Sequence, residues 1–294
     1  MAALVPSSPS ASRRRPILLV LVAVLGAVLV LAPSAMADAF TPDSGGSPNA
    51  DDIDTLYKIV LYVAIPIFLL VEGMLIWALI KFRHRRGGPE PAQIRGNTPL
   101  EMGWTAGAVL ILVVLAVTTF LYLGDIKNPP ASGPDGLAQG VQVASIDQPR
   151  PPGSGGKTLD ITVNGQQFLW RFEYPGKDRI FSYHDLVVPT DTTVVLKITA
   201  SDVQHSWWIP KLGGKMDAVP GHTNETWFKV SKPGTYKGQC AELCGSGHAD
   251  MRAQVIAVSP NDYEAFLERQ GRDIETAQEG LAKQRKAGEG PVGE

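Results

Sequence analysis

Both cysteines of the chain fall in one short run, Cys240-Ala-Glu-Leu-Cys244-Gly-Ser-Gly-His248-Ala-Asp-Met251. Two thiols, an imidazole and a thioether are packed into that run, and His205 stands 35 positions upstream of Cys240 at the end of a strand-like stretch. Soft sulfur ligands joined by imidazoles suit copper, zinc or iron–sulfur chemistry rather than magnesium or calcium. Four arrangements compete. A Cys240–Cys244 disulfide fits an oxidising, exported compartment, but it gives His205, His248 and Met251 no common purpose. A structural Cys2His2 zinc site has no use for Met251 and usually spaces its cysteines differently. A mononuclear blue-copper site takes one cysteine, two histidines and a weak methionine, which leaves a cysteine over. Two thiolates bridging two copper ions use every soft ligand: one imidazole for each ion, Met251 as a weak ligand on one, a backbone carbonyl on the other. A binuclear copper centre is therefore the expectation.

Such a centre needs a scaffold and a defined side of a membrane. The 294 residues are 44% hydrophobic and 19% charged, with a mean hydropathy of +0.01. That flat average conceals apolar runs in the first 125 residues and an ordinary polar sequence after them. Neither a disordered chain nor a wholly soluble globule has this pattern. A formal net charge of −2 leaves no electrostatic footprint for nucleic acid. Two cysteines exclude a disulfide-stapled scaffold.

The first apolar run, Ile17 to Ala32, follows Arg13-Arg14-Arg15 and precedes Ala35-Met36-Ala37. A basic start, a short apolar core and a small-residue exit describe a secretory signal over residues 1–37, cleaved after Ala37, with a retained anchor as the rival. A transmembrane helical hairpin follows over residues 50–124. Its spans run from about Ile59 to Ile80 and from about Trp104 to Leu123, each long enough to cross a ~30 Å hydrocarbon core. Lys81, Arg83, Arg85, Arg86 and Arg95 sit in the loop between them, and Asp51, Asp52, Asp54 and Asp125 flank the outer ends. Positive charge stays inside, so both ends of the hairpin, and everything after Leu123, face outward. Glu72 interrupts the first span. A carboxylate there costs a few kcal/mol, and it serves either as a packing residue at a helix contact or in a proton path.

Residues 125–156 are rich in proline, glycine and polar side chains and read as a linker. From Lys157 the texture changes to short β-branched and aromatic runs over residues 157–268. These are Thr158–Val163, Phe168–Tyr174, Asp185–Val188, Thr192–Thr199, Thr226–Val230 and Arg252–Val258. Turn signals at Pro175-Gly176, Pro220-Gly221 and Lys232-Pro233-Gly234 separate them, as in an antiparallel β-sandwich or barrel. Asp262 to Gln270 reads as a short closing helix, and residues 269–294 as a charged, solvated tail.

On these residues the sequence resembles subunit II of the haem–copper cytochrome c oxidases, which carries the CuA centre in a cupredoxin domain. The resemblance spans residues 50 to 268. It rests on Asp202-Val-Gln-His205-Ser-Trp, on Pro210-Lys-Leu-Gly213-Gly-Lys-Met-Asp217-Ala-Val-Pro-Gly221, on the C-x3-C-x3-H-x2-M loop and on Leu100-Glu101-Met-Gly-Trp104-Thr. The implied architecture is a two-helix transmembrane hairpin carrying an all-β, cupredoxin-like Greek-key sandwich. His205, Cys240, Cys244, His248 and Met251 match the copper ligands, and Glu242 matches the position that binds through its carbonyl. The Glu242 side chain is also implied to reach a magnesium or manganese ion at the subunit I interface. Glu101 matches the carboxylate at the mouth of a proton channel; its plainer reading is a charge that the helix dipole favours. In Gly165-Gln-Gln-Phe168-Leu-Trp170-Arg-Phe172-Glu-Tyr174, Phe168 stands where the family has the tryptophan that receives electrons, and Trp170 holds the next aromatic position. His222 replaces the arginine usual after Pro-Gly.

The resemblance implies a subunit in the plasma (inner) membrane, in contact with lipid, with both termini and the copper domain outside. It would take single electrons from cytochrome c and pass them to a haem of subunit I, where dioxygen is reduced and protons are moved. Further oxidase subunits would complete the complex. Asp202 and Asp217 would steer a basic cytochrome, while Trp207 and Trp208 read as packing or interface aromatics. No C-x-x-C-H is present for an attached haem. Two rival readings are a quinol oxidase subunit, which lacks the copper ligands, and a membrane-tethered copper-delivery module, which leaves Glu72, Glu101 and the hairpin unexplained. A third, a zinc-bound or disulfide-closed receptor domain, would be colourless with metal bound.

Overall fold

The computed structural model describes residues 41–83, 90, 92–134, 158–176 and 180–288. The signal over residues 1–37, Arg85 and Arg86 of the basic loop, linker residues 135–156 and the last residues of the tail lie outside the described residues.

Two long helices come first. Helix α1 spans Pro48–Lys81 and α2 spans Thr98–Lys127, about 51 Å and 45 Å long at 1.5 Å per residue. Both outrun the apolar spans seen in the sequence, because polar turns cap them. Asn97 caps α2: its Oδ1 accepts from the Leu100 N–H at 3.2 Å, while Glu101 Oε1 accepts from the Asn97 N–H at 3.0 Å. Prolines in both first turns occupy positions whose N–H has no helical partner. Along α2, half-buried Ile111, Leu115, Thr118 and Tyr122 recur at helical spacing and form one covered face, and the two helices touch. The rest of their apolar surface, including Phe68, Leu69, Leu70 and Phe120, is exposed, as lipid contact requires. Glu72 is half-buried among exposed neighbours.

The β domain is a two-layer sandwich. One sheet has the order β3-β2-β1-β5-β8: Phe181–Tyr183, Leu169–Glu173, Thr158–Gln166, Thr193–Ala200 and Asn224–Lys229. The other has the order β4-β10-β9-β6-β7: Asp185–Pro189, Arg252–Val258, Gly234–Cys240, His205–Trp208 and Met216–Ala218. Inward side chains alternate with outward ones, so that Ile161 and Val163 of β1 and Ala253, Val255 and Ala257 of β10 point into the core. Trp170, Phe172, Leu186, Leu196, Ile198 and Phe228 fill the space between the layers. The sheets are mixed rather than antiparallel throughout. β1 runs parallel to β5, and β4 parallel to β10, a pairing that only long crossovers allow.

Three further expectations are corrected. Residues 125–127 of the supposed linker complete α2, and the segment after them is fastened to the domain. Thr193 Oγ1 donates to the Pro130 carbonyl at 2.8 Å and the Gly133 N–H to the Asp191 carbonyl at 2.7 Å. Helix α3 continues unbroken from Pro260 to Gly288, past Gly271, instead of ending at Gln270 in a tail. Its Tyr263, Phe266 and Leu267 seat on the core, and beyond Ile274 its charged residues stay in water while holding helical form. Lastly, His205 opens β6 rather than closing the preceding strand.

The hairpin and the sandwich meet along β8. Asn49 Nδ2 donates to the Trp227 carbonyl at 3.2 Å, the Lys229 N–H to Ser47 Oγ at 3.2 Å, and Trp227 Nε1 to the Ile126 carbonyl at 2.9 Å.

Candidate metal centre

Three segments converge at one end of the sandwich. β6 brings His205, the end of β9 brings Cys240, and the loop from there to β10 brings Glu242, Cys244, His248 and Met251. The loop is pinned at its ends: the Cys240 N–H donates to the Met251 carbonyl at 2.9 Å and the Ala241 N–H to the Ser206 carbonyl at 2.8 Å. Inside it, Gly245 at φ +138° takes a turn that a side chain resists. A short 3₁₀ turn, His248–Asp250, then aims the imidazole back at the sulfurs.

Both cysteines are free thiols, with sulfurs 3.9 Å apart. A disulfide needs about 2.05 Å. Two metal–thiolate bonds of about 2.3 Å reach across as much as about 4.6 Å, so a single ion can touch both sulfurs. Each thiol has its own imidazole. His205 Nδ1 lies 3.9 Å from Cys240 Sγ and His248 Nδ1 lies 3.7 Å from Cys244 Sγ. Met251 Sδ is 3.8 Å from Cys244 Sγ, and the Glu242 carbonyl is 3.2 Å from Cys240 Sγ. His205, Cys240 and Cys244 form a buried group whose ligand atoms all lie within 4.8 Å of one another. Met251 is wholly buried and His248 half-buried. Burial, with Cys240 alongside, pushes the Cys244 thiol up to about 11; a soft cation displaces that proton when it binds.

His205 is held as tightly as a ligand should be. Its ring is fully buried, 5.9 Å from that of Trp170, and a Cβ on Gly165 would meet it at 3.0 Å. Its Nε2 bonds Asp202 Oδ1 at 2.9 Å, which turns Nδ1 toward Cys240. Burial pushes the Asp202 carboxyl up, but the hydrogen bonds from His205 and from the Gln167 and Val203 N–H groups outweigh it and hold it below the ordinary carboxylate range.

The other residues singled out in the sequence lie elsewhere or serve differently. Phe168, in the turn between β1 and β2, is half-buried with its ring against Gly245 and Gly247 of the ligand loop. Trp170 is completely buried beside His205 and has no surface to offer a docking partner. The Glu242 side chain is exposed, next to Leu243, which is 79% exposed. Glu101 caps α2 at the loop end of the hairpin, about 38 Å along the helix from Ile126, and is no part of this centre. Sequence reasoning missed Gln167, whose Nε2 donates to the Cys244 carbonyl at 2.7 Å. It missed the Asp202–His205 bond too, although an aspartate three positions before a ligand histidine was a signal for it.

Two family profiles match the chain. That of the cytochrome c oxidase subunit II periplasmic domain covers residues 176–258, and that of the subunit II transmembrane domain covers residues 33–121. The chain is 36% identical over 260 residues to the cytochrome c oxidase subunit 2 of Thermostichus vulcanus, covering 79% of this chain and 78% of that one. It is 35% identical over 234 residues to the cytochrome c oxidase subunit 2 of Alkalihalophilus pseudofirmus, covering 79% of this chain but only 62% of that longer one. Among solved structures, the periplasmic domain of subunit II of cytochrome oxidase from Bradyrhizobium japonicum is 32% identical. It covers 39% of this chain and 94% of its own, with a TM-score of 0.38.

Proposed function

This chain belongs to the cytochrome c oxidase subunit II family, and from that premise we propose that it accepts single electrons from cytochrome c outside the membrane. It passes them to a haem of subunit I, where dioxygen is reduced and protons are transported. His205, Cys240, Cys244, His248, Met251 and the Glu242 carbonyl hold two copper ions. When bound, the copper pair supplies a one-electron redox centre.

The chain's own part is to keep that ligand set still. The sandwich fixes the spacing of β6 and β9, Asp202 orients His205, and a dry Met251 excludes water from one side, so little rearrangement accompanies each redox step. Phe168 is the candidate for electron uptake, because its ring lies between solvent and the glycines of the ligand loop. Trp170, buried against His205, serves at most as an inner relay. The exposed Glu242 carboxylate reaches out to a magnesium ion shared with subunit I, while its carbonyl faces Cys240. Glu101, at the inner mouth of the hairpin, feeds a proton path shared with the same partner. The basic loop side is cytoplasmic, so the chain sits in the plasma (inner) membrane with the copper domain and both termini outside.

One observation carries this reading: two free thiols 3.9 Å apart, each facing its own imidazole nitrogen. The test is metal and haem analysis of the native membrane complex, with absorption and paramagnetic resonance spectra. Two coppers per chain with a purple mixed-valence spectrum are expected. Cys240→Ser abolishes that coupled spectrum, and Met251→Leu shifts the potential without emptying the site. Retention of the coupled spectrum in Cys240→Ser refutes the ligand assignment.

A further inference from the structure

The centre is built from two pieces of chain, β6 with His205 and the loop from Cys240 to Met251, and one residue outside both is tied to each, to the loop directly and to His205 through Asp202. The Gln167 N–H donates to Asp202 Oδ2 at 2.7 Å, and Asp202 Oδ1 in turn holds His205 Nε2 at 2.9 Å. The side-chain amide of the same Gln167 donates to the Cys244 carbonyl at 2.7 Å. The fit is close. A Cβ on Gly245 would come within 2.8 Å of Gln167 Nε2 and 3.1 Å of the Phe168 ring. The ligand loop's ends are closed by backbone bonds to each other and to β6, whereas Gln167 reaches its middle, between the second thiol and His248.

From this geometry we propose that Gln167 is a positioning residue of the metal centre, one that couples the His205 half of the site to the Cys244–His248 half. The role rests on the copper-ligand assignment made above. A loop of small residues such as Gly245-Ser246-Gly247 has many conformations open to it, and fixing one of its carbonyls removes part of that freedom before metal binds. Groups that orient metal ligands typically change metal affinity by about 10- to 100-fold when lost. A turn that touches both halves also gives a structural reason for a polar residue directly before Phe168.

The experiment uses the full-length chain in its membrane complex, loaded with copper. Wild type is compared with Gln167→Met, which keeps the side-chain length and the backbone N–H to Asp202 but removes the amide, and with Gln167→Asn, whose amide is one methylene too short. Both variants are expected to hold two coppers at saturation, to lose them to a chelator about 10- to 100-fold faster, and to show altered copper hyperfine splittings. Ser201→Ala is the control. It deletes a hydrogen bond to Asn164 on the neighbouring strand end that reaches no proposed ligand. Wild-type release rates and splittings in both Gln167 variants overturn the proposal, as does an equal change in Ser201→Ala. Failure of the wild-type chain to take up copper defeats instead the functional reading beneath it.

Discussion

Replacing Gly247 by alanine isolates the contact between Phe168 and the ligand loop. A Cβ at Gly247 would lie 2.5 Å from Phe168 Cδ2, 2.6 Å from Cγ and 3.0 Å from Cε2. Carbon atoms in contact prefer about 3.5–4.0 Å, and Cγ is the root of the ring, so the whole side chain must move. The Gly247 backbone, at φ −95° and ψ 12°, is open to alanine. Two effects therefore oppose each other. Overpacking costs about 1–3 kcal/mol, while the lost freedom of the unfolded chain returns about 0.4–1 kcal/mol. In the wild-type background the overpacking wins, for a net loss of about 1–2 kcal/mol. In a Phe168→Ala background the clash is gone, and Gly247→Ala should become stabilising by about 0.4–1 kcal/mol. Denaturant unfolding of the detergent-solubilised chain, followed by near-ultraviolet circular dichroism, reads both numbers. A change of the same sign and size in the two backgrounds would show that Phe168 does not rest on the loop, and its place in electron uptake would lose its support.

Two more predictions test other parts of the molecule. Trp227→Phe removes the indole donor to the Ile126 carbonyl; it should cost about 1 kcal/mol and speed amide hydrogen exchange in β8, and unchanged exchange there would discount the joint. Burial pushes the Tyr174 phenol up to about 12 against its hydrogen bonds to Ser182 and Val187. A phenol that ionises near 10 when unfolded then favours the folded state in full below pH 10, and that contribution, about 3 kcal/mol at most, fades as pH rises toward 12. Tyr174→Phe should flatten the alkaline fall of the melting temperature in this window. Some slope will remain from Tyr263, which burial pushes up as well.

Much of this could be read from residue types. The C-x3-C-x3-H-x2-M spacing is a local property, and its two thiols come together with the distant His205 imidazole, their ligand-type atoms within 4.8 Å of one another. Strand β10 spans the expected run Arg252–Val258 residue for residue, with burial alternating along it. What escaped was set by context. β9 carries Cys240, yet Gly-Thr-Tyr-Lys-Gly-Gln-Cys is mostly exposed and shows no apolar alternation, so only its pairing with β10 and β6 makes it a strand. Helix α3 passes through Gly271 because the strong helix formers around it outweigh a penalty of about 1 kcal/mol. The burial of Trp170, by contrast, follows from the sequence, where Trp170, Phe172 and Tyr174 alternate with Arg171 and Glu173 and give β2 one apolar face. Gln167 was invisible for a plainer reason: both of its partners are distant in sequence, Asp202 by 35 residues and Cys244 by 77.

The seam along β8 has a consequence for the exported domain as a material. β8 is the last strand of its sheet; the polar backbone on its outer side is met by Ser47 and Asn49, and the tip of the second helix takes the Trp227 indole N–H. Such a border is a ready template for another chain to add a strand, and here the membrane helices themselves blunt it. A version of the domain cut away from its helices bares those donors and acceptors to water and to any passing partner, so what anchors this protein to the bilayer also guards it against self-association.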